Sequence, residues 1–316
     1  MNKLDKIFLS VIVCTKDRSD QLRNLLNSMK KMEVISSINW ELILVDNNSV
    51  DETAKVISDS INDLPIRYVF ERGRGLSRAR NAGVLAARGS HILWTDDDVI
   101  VCKDWLKSYY EQIKSFAETP VFGGNITPVL EAGGDKWFAD NIKAFEFLLA
   151  RRNFQNSGCF DAANRTVRPF GANYCVRADL QKACLYDPEL GAGSINGYFS
   201  EEEDSIQRIL ELDGGEGRWV QGAEVQHMIP KSRQTKKYVI KYYHALGATT
   251  IYNAPKRGHV IPSKIRLKRN VIFSKLRYMM ANIPFLPISE GHAAASYAFH
   301  LGRYSESLKI SLVVSR

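Results

Sequence analysis

His91-Ile92-Leu93-Trp94-Thr95-Asp96-Asp97-Asp98 joins a short apolar run directly to three consecutive carboxylates. The first part reads as a β-strand. The second reads as a cluster placed at that strand's carboxyl end. Upstream, Ile7–Cys14 and Glu41–Val45 are further compact apolar runs, and Ile66–Phe70 is a third. Between them, Ser19–Met32 carries Leu22, Leu25, Leu26 and Met29 at the spacing of one helical face. Asp51-Glu52-Thr53 opens a second helix with acidic residues at the positive end of its dipole, and Ser77–Arg88 is a third helix. Strands alternating with helices of this length predict an α/β fold, a Rossmann-like, mostly parallel sheet flanked by helices. Ligands bind such sheets at the carboxyl ends of the strands. Polar residues gather there: Thr15-Lys16-Asp17-Arg18, Asp46-Asn47-Asn48 and Asp96-Asp97-Asp98 each follow a strand.

Beyond Trp105 the pattern predicts a helix to about Glu118, an extended run over Val121–Val129 and a loop-rich stretch over Glu131–Arg168, partly helical around Asn141–Arg151. Pro169–Val176 reads as extended, Ser200–Leu212 as helical and Arg218–Gln226 as a last strand. A basic region follows. Lys231–Met280 holds 13 Lys and Arg and no Asp or Glu, which leaves a net −5 on the rest of a chain whose total is +8. The expected organisation is a catalytic domain over 1–230, with halves at about 1–100 and 101–230, and a C-terminal basic helical extension over 231–316, its end at His292–Leu312 amphipathic.

Composition narrows the class. The five cysteines are odd in number and form no C-x-x-C pair, so neither a disulfide framework nor a zinc ribbon is expected. Met1–Lys6 is short and polar and leads straight into a strand-like run, which reads as a core strand and not a signal peptide. No stretch of 18 uncharged apolar residues predicts a spanning helix.

Three adjacent carboxylates repel one another unless positive charge neutralises them. Mg²⁺ and Mn²⁺ prefer carboxylate and phosphate oxygens, so a cation bridging to a diphosphate accounts for the triplet better than a solvated acidic turn. Asp46 sits where a dinucleotide fold places its ribose-binding acid, but the first strand is followed by Cys14-Thr15-Lys16-Asp17-Arg18 and not by G-x-G-x-x-G. Arg72-Gly73-Arg74-Gly75 lacks the lysine-serine pair of a phosphate loop. Glu201-Glu202-Glu203-Asp204 opens a helix, where acids are ordinary stabilisers, yet one of them could serve as a general base behind the Gly191–Gly197 loop. His227 follows the last strand and is a candidate metal or phosphate contact.

The ordered set Ser10–Arg18, Leu44–Ser49 with Asp51, Gly75–Gly83, Thr95–Asp98, Gly171-Ala172-Asn173 and Glu203-Asp204 resembles the family 2 glycosyltransferases of the GT-A fold. The resemblance implies an inverting transfer from a nucleotide-diphosphate sugar donor to a glycan or lipid-linked acceptor, with Mn²⁺ or Mg²⁺. It places Thr15, Asp17, Arg18 and Asp46 about the nucleotide and Arg78 or Arg80 at the diphosphate. Asp96 or Asp97 falls near the ribose, and Asp98 falls on the metal with His227. Asp204 of the Glu203-Asp204 pair matches the catalytic base. The family often has Tyr-Asn where Lys16-Asp17 stand and a glycine where Glu202 stands. A sugar nucleotidyltransferase would need a glycine-rich loop after the first strand. A non-catalytic nucleotide-sugar binding module would not need both Asp98 and Asp204.

The basic region carries aromatics at Tyr238, Tyr242, Tyr243, Tyr252, Phe273 and Tyr278 but no nucleic-acid motif, so no nucleic acid is expected. Ile265–Phe273 interleaves cations with apolar residues and fits a helix on an anionic membrane surface, with a solvated basic face as the plainer reading. The expected location is cytoplasmic, peripheral on the inner face of the cell membrane.

Overall fold

The structure, a computed structural model, describes residues 8–154, 158–161, 168–281, 283 and 288–314. Ile7, expected in the first strand, lies outside them. The strands are β1 (Phe8–Thr15), β2 (Asn39–Asp46), β3 (Ile66–Phe70), β4 (His91–Trp94), β5 (Val99–Val101), β6 (Val121–Leu130), β7 (Cys159–Phe160), β8 (Tyr174–Arg177) and β9 (Gly217–Ile229). The helices are α1 (Ser19–Met29), α2 (Thr53–Ser58), α3 (Leu76–Ala86), α4 (Trp105–Ser115), α5 (Lys136–Asp140), α6 (Ala178–Ala183), α7 (Glu201–Asp213), α8 (Lys236–Lys256), α9 (Lys264–Met280) and α10 (Glu290–Val314).

One sheet runs in the order β3-β2-β1-β4-β8-β6-β9-β5, with β7 on β9. The first four strands are parallel: β1 pairs with β2 and β4, and β2 with β3. Beyond β4 the pairings with β8, β6, β5 and β7 are antiparallel, so the sheet is mixed. The cause is connectivity. Crossover helices α1, α2 and α3 link the strands of residues 8–94, and a crossover returns the chain parallel.

Residues of β1 alternate between two apolar layers. Leu9, Val11 and Val13 meet Leu22, Leu25 and Leu26 of α1 and Trp105, Leu106 and Tyr109 of α4. Ile12 and Cys14 face the opposite layer, with Ala79 and Val84 of α3 and Ile206, Ile209 and Leu210 of α7. Cover on both faces is why these strands are nearly continuous Val, Ile and Leu. Each such side chain contributes about 1.5–3 kcal/mol on full burial.

Asn173, buried just before β8, pins the antiparallel half. Its amide nitrogen donates to the carbonyls of Asn125 in β6 at 2.8 Å and Ala223 in β9 at 3.0 Å. Its carbonyl oxygen accepts from Trp105 Nε1 at 2.8 Å and Tyr109 O–H at 2.9 Å, both on α4. One satisfied side chain thereby joins two strands to a helix.

The chain divides into two compact units. The first comprises Met1–Val129, Ala150–Asn196 and Glu201–Met228; the second comprises Leu130–Leu149, Gly197–Ser200 and Ile229–Arg316. In the second, Phe138, Phe145, Leu149, Ile229 and Val239 form a small apolar cluster. The helical expectation over Asn141–Arg151 is met by a single 3-10 turn at Ile142–Ala144, while the regular helix there is α5, capped by the Asp135 side chain on Trp137 N–H. α8 and α10 pack with backbones in contact. A Cβ on Gly247 would overlap the Phe299 carbonyl, and one on Gly302 the His244 carbonyl. No helix among the described residues is long and apolar enough to cross a membrane.

Candidate functional site

The carboxyl ends of β1 and β4 meet because these strands are parallel neighbours. Thr15 Oγ1 donates to Asp97 Oδ2 at 2.8 Å. Arg18, at the start of α1, donates through Nη1 to Asp97 Oδ1 at 2.7 Å and to Asp98 Oδ2 at 3.1 Å. Burial pushes the Asp97 carboxyl up to about 6; Arg18 opposes that shift and Asp98 adds to it. Asp98 meets His227 through sheet pairing. Val99 of β5 lies opposite His227 of β9, and Met228 N–H donates to the Asp98 carbonyl at 2.9 Å. The result is Asp98 Oδ1 at 3.6 Å from His227 Nε2, with both side chains buried.

A second group of loops closes over the end of β2. Asp46 accepts from Ser49 N–H at 2.8 Å and from Tyr68 O–H at 3.0 Å. Asp17 is exposed with φ of 51°, accepts from Val50 N–H at 2.8 Å and donates its own N–H to Ser49 Oγ at 3.0 Å. The loops after β1 and β2 are therefore interlocked through Ser49. Arg78 is exposed on the first turn of α3.

Arg80 differs from Arg78. Only 3% of it is exposed. Its guanidinium lies over the rings of Trp94 and Tyr186, with Nη1 at 2.9 Å from Glu201 Oε1 and 3.7 Å from Glu202 Oε2, and Nη2 at 3.5 Å from Asp96. Gly171 makes room: a Cβ there would stand 2.7 Å from Arg80 Nη2 and 3.6 Å from the Glu202 carboxyl carbon. Burial and the neighbouring Glu202 push Glu201 up to about 8 against the pull of Arg80. Part of the positive charge that the Asp96–Asp98 triplet requires thus comes from the chain itself. Arg18 serves its C-terminal pair and Arg80 its first member.

The helix carboxylates divide by direction. Glu201 and Glu202 reach Arg80. Asp204 Oδ2 instead pairs with Arg208 Nε at 3.0 Å, and Arg208 Nη2 donates to the Leu185 carbonyl at 2.6 Å. Glu203 is half-buried on the same turn. Glu202, half-buried like Glu203 and Asp204, stands 3.7 Å from Arg80 Nη1 and so connects to the triplet through that guanidinium. Arg208 stands four residues after Asp204, the spacing of a helical ion pair.

The described residues include no group of three or more His, Cys, Asp or Glu side chains arranged to hold a metal. Asp98 and His227 nevertheless offer one hard oxygen and one imidazole nitrogen side by side, both buried. That pair could hold a divalent ion such as Mn²⁺ or Mg²⁺. The imidazole favours Mn²⁺ over Mg²⁺.

The family model for glycosyl transferase family 2 matches residues 10–171. The dolichyl-phosphate beta-glucosyltransferase of Dictyostelium discoideum is 31% identical over 106 residues, covering 31% of this chain and 32% of that protein. The poly(ribitol-phosphate) beta-N-acetylglucosaminyltransferase TarS of Staphylococcus aureus is 29% identical over 100 residues, covering 31% of this chain and 17% of that protein. The chain therefore spans about a third or less of these curated relatives. TarS 1–349 in complex with UDP-GlcNAc superposes with a TM-score of 0.54 at 14% identity, covering 96% of this chain and 92% of that one. The mannosyltransferase PcManGT from Pyrobaculum calidifontis, in complex with GDP-Man and Mn²⁺, gives 0.54 at 14% identity, covering 97% and 75%. These two superpositions show a shared fold.

Proposed function

The chain belongs to glycosyl transferase family 2, and from that premise we propose that it moves a glycosyl group from a nucleoside-diphosphate sugar to an acceptor hydroxyl with inversion at the anomeric carbon. The observation that carries this reading is the position of the Asp96–Asp98 triplet between two sets of partners. Arg18 and His227 stand at its C-terminal end, and Arg80 and Glu202 at its first member.

In this proposal Thr15, Asp17 and Asp46 line the nucleoside pocket, and Asp96 and Asp97 take the ribose side. Arg18, partly exposed, turns from Asp97 and Asp98 toward the diphosphate, with exposed Arg78 beside it. Arg80 is a positioning residue, because its burial leaves it to fix Glu201, Glu202 and Asp96. Asp98 and His227 would hold Mn²⁺ or Mg²⁺. A divalent ion bound there supplies electrostatic stabilisation of the charge developing on the departing diphosphate. The nucleotide sugars bound in the two superposed structures support the donor class: TarS holds UDP-GlcNAc and PcManGT holds GDP-Man.

Glu202 takes the place first given to Asp204. Its carboxylate removes the acceptor hydroxyl proton while the oxygen attacks the anomeric carbon on the face opposite the diphosphate. The bond from that carbon to the phosphate oxygen breaks, and its electron pair leaves with the nucleoside diphosphate. Asp204 holds Arg208, whose guanidinium donates to the Leu185 carbonyl and ties the helix that carries Glu202 to that segment. The acceptor is a glycan or lipid-linked hydroxyl; the poly(ribitol-phosphate) relative, named for a polyol chain, supports the hydroxyl, and the dolichyl-phosphate relative, named for a lipid phosphate, supports only the lipid link. The setting is cell-surface glycan assembly on the cytoplasmic side of the membrane. All residues in these roles fall within the first compact unit. Incubation with labelled UDP-, GDP- and dTDP-sugars and Mn²⁺ tests the proposal. Release of sugar or its transfer is the expected result, and binding without turnover for every donor would refute it.

A further inference from the structure

α9 is amphipathic on two sides. Its inner side packs against α10, with Leu267 and Ser274 buried and Tyr278 stacked on Tyr297 at 6.1 Å between ring centroids. Its outer side is not the solvated polar face expected of a surface helix. Ile265, Ile272, Leu276 and Met279 recur at helical spacings of seven, four and three, and Phe273 and Met280 lie beside them. Ile265 is 83% exposed, Phe273 62% and Met279 59%, and Ile272, Leu276 and Met280 are also exposed. Cations border this stripe. At 3.6 residues per turn, Lys264, Lys268 and Lys275 fall along one edge and Arg266 and Arg277 along the other, with Arg269 between apolar rows. α9 contains no acidic residue.

We propose that this outer face of α9 lies in the interfacial region of an anionic lipid bilayer. The stripe enters the acyl boundary and the flanking Lys and Arg reach lipid phosphates. The geometry is that of an in-plane helix, with an apolar face edged by long cationic side chains that can extend to the headgroups. At about 25 Å with six cations, α9 lies along a surface and does not cross a bilayer. A nucleic-acid groove would match the cations but leave six exposed apolar side chains without a partner. A purely solvated basic face would have no reason to place those apolar residues in one stripe. This inference does not depend on which sugar or acceptor the first unit handles.

Flotation of the whole 316-residue chain with vesicles of phosphatidylcholine alone, or with about a third phosphatidylglycerol, tests it. The expected result is association with the anionic vesicles that weakens as salt rises, and little with phosphatidylcholine. I272E/L276E, both at exposed positions, should lower the partition coefficient about tenfold or more at low salt. K268E/K275E should remove most of the salt-sensitive part. Circular dichroism and donor binding in these variants separate lost docking from lost folding or lost transferase competence. Absence of flotation by the wild type at low salt overturns the proposal. So does flotation unchanged by both variants, competition by duplex nucleic acid that I272E/L276E does not affect, or a protein oligomer that the stripe variants dissolve without any lipid binding.

Discussion

Arg80 Nη1 stands 3.7 Å from Glu202 Oε2, and Asp204, two residues further along the same helix, pairs with Arg208 at 3.0 Å. A helical step of two residues is enough to send two carboxylates in different directions. The arginine that each carboxylate meets therefore distinguishes acids that look alike in a run of four.

Exchange of Glu202 for Gln keeps its shape and removes the base. Glu202→Gln should lower kcat by about 10²–10⁴-fold with donor affinity nearly unchanged. Asp204→Asn should act mainly on stability, through loss of the Arg208 pair. Steady-state kinetics with donor calorimetry on both variants decides. The opposite pattern returns the base to Asp204.

Gly171 has a steric task. A methyl group there would press Arg80 Nη2 from 2.7 Å. Gly171→Ala should therefore reduce kcat more than it weakens donor binding, because the displaced guanidinium carries Glu202 and Asp96 with it. Equal loss in both quantities would place the effect elsewhere.

Asn173→Ala leaves two strand carbonyls and two donors from Trp105 and Tyr109 without their partner. Each buried unsatisfied group costs about 1–3 kcal/mol, so the loss in urea-unfolding free energy should reach at least ~3 kcal/mol. A loss below ~1 kcal/mol would mean that water replaces these bonds readily.

Glu201 has its folded pKa raised from 4.5 to about 8. The folded state then holds this proton more tightly than the unfolded state. Its contribution to stability is complete below about pH 4.5 and is lost as pH rises toward 8. Glu201→Gln should flatten that part of the stability–pH profile, measured by thermal unfolding across the range. An unchanged slope would contradict the assignment.

The parallel half of the sheet was legible because buried strands such as Val11–Val13 and Leu42–Val45 must be apolar on both faces, a pattern that local sequence carries. β5, β7 and α6 were not separated in the reading, since elements of two to six residues hold too little periodicity. The antiparallel pairing that puts His227 beside Asp98 depends on long-range register, which no local pattern encodes. In the site, the triplet and Arg18 were readable from their place after strands. The burial of Arg80 was not, because the rings that cover it, Trp94 and Tyr186, come from distant segments. Charge counting also pointed wholly to a metal where two arginines supply part of the compensation.

In the proposed mechanism Asp98, with His227, ties donor binding to a divalent ion. Calorimetric titration of UDP- and GDP-sugars into wild type and Asp98→Ala, each with Mn²⁺ and with chelator, addresses it most directly. The account predicts Mn²⁺-dependent binding in the wild type and a weakening of about tenfold or more in Asp98→Ala, with the metal dependence gone. Equal donor affinity in the two proteins, with the same response to chelator, would contradict it.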